Sequence, residues 1–283
     1  MIRPVATDVV VGQRTIRVNQ IGAGPPILML HGGGPGATGL SNYSRNIEAL
    51  AKSYRLLIPD MPGYGASTKG VSRSDPFGDL AGAMFGLMDA LKIPRAHVIG
   101  NSLGGACGLR MAIDRPDQVG ALVLMGPGGV DSTRSLPTKG LQKLLNYYKG
   151  DGPSLEKLRA FIDDLVYEPA LVPDALLNER YQASIDPQTV ASPPLLRPKG
   201  FKLRDIDFTR DPRLAAVANP VLVLWGIEDR VNRASGGRSL LRRLPNADLH
   251  LFSRTGHWVQ WERAEEFNAI TLAFLGQRAF KDR

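Results

Sequence analysis

The feature that most constrains this chain is a repeated pairing of two patterns. Short, wholly apolar runs close on glycine- or proline-rich turns, and stretches of helical period separate them. Residues 26–31 (Pro-Ile-Leu-Met-Leu-His) lead into Gly32-Gly33-Gly34-Pro35-Gly36. Residues 55–60, 96–100, 121–125 and 220–226 repeat the form, and 248–253 adds a last strand. Runs this short and this uniformly apolar suit strands buried on both faces. Helical periodicity is read at 42–52, 79–91, 103–113, 235–244 and 262–274. The alternation predicts an α/β chain with a mostly parallel sheet and helices on both faces. An antiparallel hairpin over 8–21, turning at Gly12-Gln13, precedes it.

From about 131 to 219 no strand pattern is found. Helical patterns at 141–148, 155–166 and 173–184 appear instead, separated by prolines. The expected organisation is a core over 1–130, a helical lid over 131–219 and a return to the core over 220–283.

Hydrophobic residues at 43% and charged residues at 22% exclude a disordered or fibrous chain. The net charge of +8 is spread thinly, with clusters at 197–213, 238–243 and 278–283, which hold Phe201, Phe208 and Phe280 but no regular interleaving of aromatics. Nucleic acid is therefore not an expected partner. No apolar run approaches the ~18 residues of a membrane helix, and Asp8 interrupts any early export signal. A single cysteine, Cys107, excludes an intramolecular disulfide. A cytoplasmic setting is expected.

Gly100-Asn101-Ser102-Leu103-Gly104 lies between an apolar run and a helical pattern. That is the setting of a nucleophile elbow, in which a sharp turn lifts a serine out of the sheet. Of four histidines, His97 and His250 lie within strands and suit structural roles. His257, in Thr255-Gly256-His257-Trp258, follows the last strand, where parallel sheets build their sites. The base needs an orienting acid, and Glu228 and Asp229, after the strand at 220–226, both qualify by type. The order serine, acid, histidine is that of α/β-hydrolases. Leu103, after the serine, supplies one candidate oxyanion N–H, and the loop His31-Gly32-Gly33-Gly34-Pro35 must supply the other. No Gly-Lys-Ser/Thr follows that loop, which argues against a phosphate site. The histidines and cysteine show no metal-ligand spacing, and neither a metal nor another cofactor is expected.

His31-Gly32-Gly33-Gly34-Pro35-Gly36-Ala37, Ser41-Asn42-Tyr43, Gly100-Asn101-Ser102-Leu103-Gly104-Gly105, Leu124-Met125-Gly126-Pro127-Gly128-Gly129 and Gly256-His257-Trp258 together resemble the meta-cleavage product hydrolases. These are α/β-hydrolases that cut carbon–carbon bonds in ring-opened products of aromatic degradation. The resemblance implies the α/β-hydrolase fold with its lid, and a triad of Ser102, Asp229 and His257. It implies oxyanion donors on Gly33 and Leu103, with Gly32 beside the substrate. Many members carry methionine where Leu103 stands, but only its backbone is needed. It further implies that Asn42, Asn101, a lid arginine, here Arg180, and Trp258 hold the anionic dienoate end. A homo-oligomer is expected.

The implied substrate is a 2-hydroxy-6-oxohexa-2,4-dienoate. His257 would carry the ketonisation proton, and Ser102 would then attack C6 or activate water. Several relatives carry phenylalanine at the position of Val231, and a lid tryptophan common among them is missing near 205–208. This extra room predicts a 6-aryl substituent, with methyl or carboxyl-terminated analogues poor. An esterase or lactonase, and a non-catalytic ligand-binding member of the fold, are the alternatives.

Overall fold

The computed structural model describes residues 3–134, 136–195 and 206–278. Eight strands form one sheet: β1 (Val5–Val11), β2 (Arg14–Ile21), β3 (Pro26–Leu30), β4 (Arg55–Pro59), β5 (Ala96–Asn101), β6 (Val119–Met125), β7 (Val221–Gly226) and β8 (Ala247–Phe252). Their order is β1-β2-β4-β3-β5-β6-β7-β8. The first hairpin pairs antiparallel with itself and with β4, and the pairs from β4 to β8 are all parallel.

The apolar runs are explained by burial on both faces. Leu28, Leu30, Val98, Leu122, Leu124, Val223 and Trp225 point into one core, under the helices Pro76–Ala90, Leu103–Asp114 and Ser235–Leu241. Their neighbours Ile27, Met29, Ile99, Val123, Met125, Leu222 and Leu224 point into the other, under Ile47–Leu50 and Ala264–Gly276. The period of two along each strand divides an unbroken apolar run between two cores.

Two helical expectations are corrected. The helix read at 42–52 is two short ones, Gly39–Tyr43 and Ile47–Leu50. Between them Asn46 is buried, and its Nδ2 donates to Gln260 O and Asn268 Oδ1, both at 3.0 Å. Tertiary partners for that amide replace the continuous helical ladder. The helix read at 262–274 begins two residues later, at Ala264–Gly276, and a short helix, Val259–Glu262, precedes it.

Between β6 and β7 the described residues contain helices at Lys139–Asn146, Leu155–Leu165, Asp174–Ser184 and Pro187–Ala191, the last not foreseen. Leu144, Leu158, Phe161, Ile162 and Leu177 form a separate small core that takes in Val231, Trp258 and Trp261 from the sheet side. Part of this segment's 197–213 basic cluster, Asp205 beside the missing tryptophan, and most of the 278–283 cluster lie outside the described residues.

Candidate active site

The sheet order reverses direction between β3 and β5, the place where open α/β sheets form crevices. Leu30 pairs with Gly100, so the Gly32–Gly34 loop and Ser102 leave the sheet side by side. Gly226 pairs with Phe252, which brings the loops after β7 and β8 to the same edge.

Ser102 has φ +53° and ψ −109°, a strained conformation for a residue with a side chain. The turn is fixed by the N–H of Ser102 donating to Met125 O (2.8 Å) and that of Gly128 donating to Ser102 O (2.9 Å). Gly104 explains part of the motif: a Cβ there would strike the Leu30 carbonyl and lie 2.8 Å from His31 O. The helix and β3 can approach this closely only without a side chain.

Asp229 Oδ2 lies 2.7 Å from His257 Nδ1. The same oxygen accepts from Trp225 Nε1 (2.9 Å), and Oδ1 accepts from the N–H groups of Val231 and Asn232, both at 2.8 Å. This cage fixes the imidazole with Nδ1 as donor, leaving Nε2 the basic nitrogen. Nε2 is buried and makes no hydrogen bond among the described residues. Glu228 turns the other way, its Oε2 accepting from Thr255 N–H at 3.0 Å. Of the two acids open by type, only Asp229 reaches the histidine.

One pocket is lined by Gly32, Gly33, Asn42, Asn101, Ser102, Arg180, Val231, His257 and Trp258. Leu103 packs against it: a Cβ on Gly33 would sit 3.3 Å from Leu103 Cβ. As the first residue of its helix, Leu103 has an N–H with no intrahelical acceptor. The pocket is narrow, about 10 Å³. Arg180, from the lid helix Asp174–Ser184, is 2% exposed and donates through Nε to Pro35 O at 3.1 Å. Its guanidinium lies 5.3 Å over the Trp258 ring. No ion pair joins it to a carboxylate among the described residues, and burial pulls its pKa down to about 10. Asn42 Oδ1 accepts from Trp258 Nε1 at 3.1 Å, while its Nδ2 is buried and makes no hydrogen bond among the described residues. Asn101 lines the same pocket. Its Nδ2 already contacts Met125 O (3.3 Å) and His257 O (3.4 Å), tying the elbow to the histidine's backbone.

Beyond Ser102, Leu103 and Val231 the pocket meets a cleft of about 1160 Å³. Its inner wall includes Val130, Leu141, Leu144 and Leu145, and its outer wall carries Arg210, Arg238 and Arg242.

Two residue roles escaped the reading of the sequence. His31 is buried and bridges the glycine loop to the end of β4. Its Nδ1–H donates to Gly32 O and its Nε2 accepts from Met61 N–H, both at 2.9 Å. Burial holds it below the usual histidine range, consistent with a neutral ring. Glu262, whose carboxylate binds backbone on both sides of His257, has no spacing rule that would single it out. Among the described residues no cluster of His, Cys, Asp and Glu could hold a metal ion, and no helix is long and apolar enough to cross a membrane.

A twisted, mostly parallel sheet with a serine on its elbow and an Asp–His pair at the neighbouring strand ends defines an α/β-hydrolase, and the family model described as alpha/beta hydrolase fold matches residues 25–264. A 2-hydroxy-6-oxo-6-phenylhexa-2,4-dienoate hydrolase from Burkholderia cepacia is 40% identical over 265 residues, 92% of this chain and 91% of that one. A 2-hydroxy-6-oxononadienedioate/2-hydroxy-6-oxononatrienedioate hydrolase from Pseudomonas sp is 39% identical over 269 residues, 93% of this chain and 92% of that one. The solved meta-cleavage product hydrolase from Pseudomonas fluorescens IP01 superposes with a TM-score of 0.83 at 31% identity, covering 96% of this chain and 97% of that one. The chain belongs to the meta-cleavage product hydrolase family, as its motifs implied.

Proposed function

We propose that the protein hydrolyses the C5–C6 bond of a 2-hydroxy-6-oxohexa-2,4-dienoate with an aryl group at C6, a ring-opened product of aromatic degradation. The products are 2-hydroxypenta-2,4-dienoate and a carboxylic acid. One observation carries this reading: a buried arginine, Arg180, lies in the same pocket as Ser102 and His257 and makes no ion pair with a carboxylate among the described residues. A buried cation is costly unless paired, and a dienoate carboxylate supplies the missing partner. A simple ester has nothing for it.

Asn42 Nδ2 donates to the C2 oxygen or carboxylate alongside Arg180. His257 Nε2 takes the C2 hydroxyl proton and returns it to C5, giving the 2,6-diketone. It then takes the Ser102 proton as the serine attacks C6. The N–H groups of Gly33 and Leu103 hold the oxyanion. Collapse breaks C5–C6, the electron pair delocalises from C5 to the C2 oxygen, and the imidazolium protonates that oxygen. Water then releases the acyl group from Ser102. The helical segment between β6 and β7 acts as the lid.

The C6 group enters the large cleft past Val231, whose apolar inner wall suits an aryl ring. A second reading, a C6 chain ending in a carboxylate, is favoured by the arginines on the outer wall. A spectrophotometric panel of dienoates bearing phenyl, methyl and carboxyethyl groups at C6 separates them by kcat/KM. Phenyl is expected to lead. Turnover of simple esters with none of any dienoate overturns the proposal in favour of an esterase. The setting this reading assumes is cytoplasmic and homo-oligomeric, supported by the single, buried Cys107 for the first and testable by light scattering for the second.

A further inference from the structure

The segment that carries His257 is gripped from outside the triad. Glu262 closes the short helix Val259–Glu262 and folds its carboxylate back over the helix start. Oε1 accepts from Gly256 N–H (3.0 Å) and Trp258 N–H (3.2 Å). Oε2 accepts from Gly256 N–H (3.1 Å) and from Tyr167 N–H (2.7 Å). Gly256 and Trp258 flank the histidine, and Tyr167 belongs to the lid, just after the helix Leu155–Leu165. The N–H of His257 itself donates to Leu165 O at 2.7 Å. The three consecutive N–H groups at 256, 257 and 258 are thus all taken by Glu262 or by the lid.

The fit leaves no slack. A Cβ on Gly256 would lie 2.8 Å from Leu165 O, Tyr167 N and Val166 C alike. Burial holds the Glu262 carboxyl above the usual glutamate range, against the backbone N–H bonds that favour the charge. The triad itself makes no use of this group, because His257 Nδ1 bonds to Asp229.

We propose that Glu262 is a positioning residue for His257. It holds the histidine's backbone so that Nε2 stays in register with Ser102, and through Tyr167 it makes that register depend on the docked lid. The proposal rests on the dienoate-hydrolase reading, in which His257 moves protons in two successive steps. Arg180 and Asn42, which hold the substrate's anionic end, make no direct contact with Glu262 and reach it only through the Trp258 side chain, whereas Glu262 grips the backbone on both sides of His257. The larger effect is therefore expected in chemistry, the smaller in binding.

Glu262→Gln keeps the volume but sets an NH2 against a backbone N–H. Tyr167→Pro deletes the lid's donor and with it the ring that Arg254 overlies at 5.9 Å, for which Tyr167→Ala is the side-chain control. The preceding Val166 is extended (φ −116°, ψ 157°), as a residue before proline must be. All three variants are assayed for kcat and KM on the 6-phenyl dienoate and on p-nitrophenyl acetate, and dienoate Kd is measured with Ser102→Ala added. A misplacement of about 1 Å costs about 10²-fold in rate. The expected result is a fall of about 10- to 100-fold in kcat for Glu262→Gln and a smaller fall for Tyr167→Pro. KM and Kd should stay within about threefold, a difference of about 0.65 kcal/mol. A folded Glu262→Gln with kcat within about twofold of wild type, or with KM raised about tenfold at unchanged kcat, overturns the proposal. If Glu262→Gln does not fold, Tyr167→Pro decides alone by the same criterion. A wild type that cleaves the ester but no dienoate defeats the substrate reading, while the ester kcat still judges Glu262.

Discussion

Trp258 donates its indole N–H to Asn42 Oδ1 at 3.1 Å, and this bond decides which end of the Asn42 amide is left for the pocket. With the oxygen occupied, Nδ2 is the group left over, so the amide is a committed donor. The same indole lies under Arg180 and stacks on Trp261 at 4.6 Å. One tryptophan thus orients two groups suited to an anion.

Trp258→Phe keeps the ring but removes the donor. The freed amide can rotate, and the loss of one hydrogen bond is worth about 1 kcal/mol. Steady-state kinetics should give a kcat/KM for dienoates about 5- to 10-fold lower, with neutral esters little changed. An equal loss on both substrate classes would assign Trp258 to packing.

Arg180→Gln should damage dienoate turnover far more than ester turnover. Losing a buried charge-assisted contact costs about 2–5 kcal/mol, or about 30-fold and upwards in kcat/KM for dienoates. Direct comparison of the two substrates checks it, and uniform loss points to a structural role in the lid.

Asp229→Asn should cost about 10⁴ in kcat, because the amide cannot hold the Nδ1–H tautomer. Glu228→Gln should cost less than about threefold, since that side chain holds only the Thr255 N–H. Comparable losses at the two positions would refute the assignment.

Two glycine replacements separate close approach from ordinary helix propensity. Gly104→Ala drives a Cβ against β3 and should lower stability by about 3 kcal/mol or prevent folding. Gly82→Ala, at an exposed position of the helix Pro76–Ala90 with nothing within 4 Å of its Cβ, should stabilise by about 0.5–1 kcal/mol. Thermal unfolding of both variants reads the signs.

The sheet was legible because strands such as β5 and β6 are buried at every position, which leaves an uninterrupted apolar run in the sequence. Ser102 was legible because its strained turn demands glycine on either side. Asp229 could not be told from Glu228 by residue type. The difference is the direction each side chain takes after β7, set by the Trp225 indole and the N–H groups of residues 231 and 232. The break at Asn46 was hidden because it depends on Gln260 and Asn268, far along the chain. His31 and Glu262 were missed for the same reason: each acts on backbone groups, which carry no side-chain signature.

The most direct test of the central claim is single-turnover absorbance spectroscopy of Ser102→Ala with the 6-phenyl dienoate. Removing a triad nucleophile has cost up to about 10⁶ in a protease. The variant should bind the dienoate and, with His257 intact, still convert it to the diketone, while releasing neither benzoate nor 2-hydroxypenta-2,4-dienoate on the wild-type timescale. Release of both products at the wild-type rate would contradict the assignment of Ser102 and the mechanism built on it.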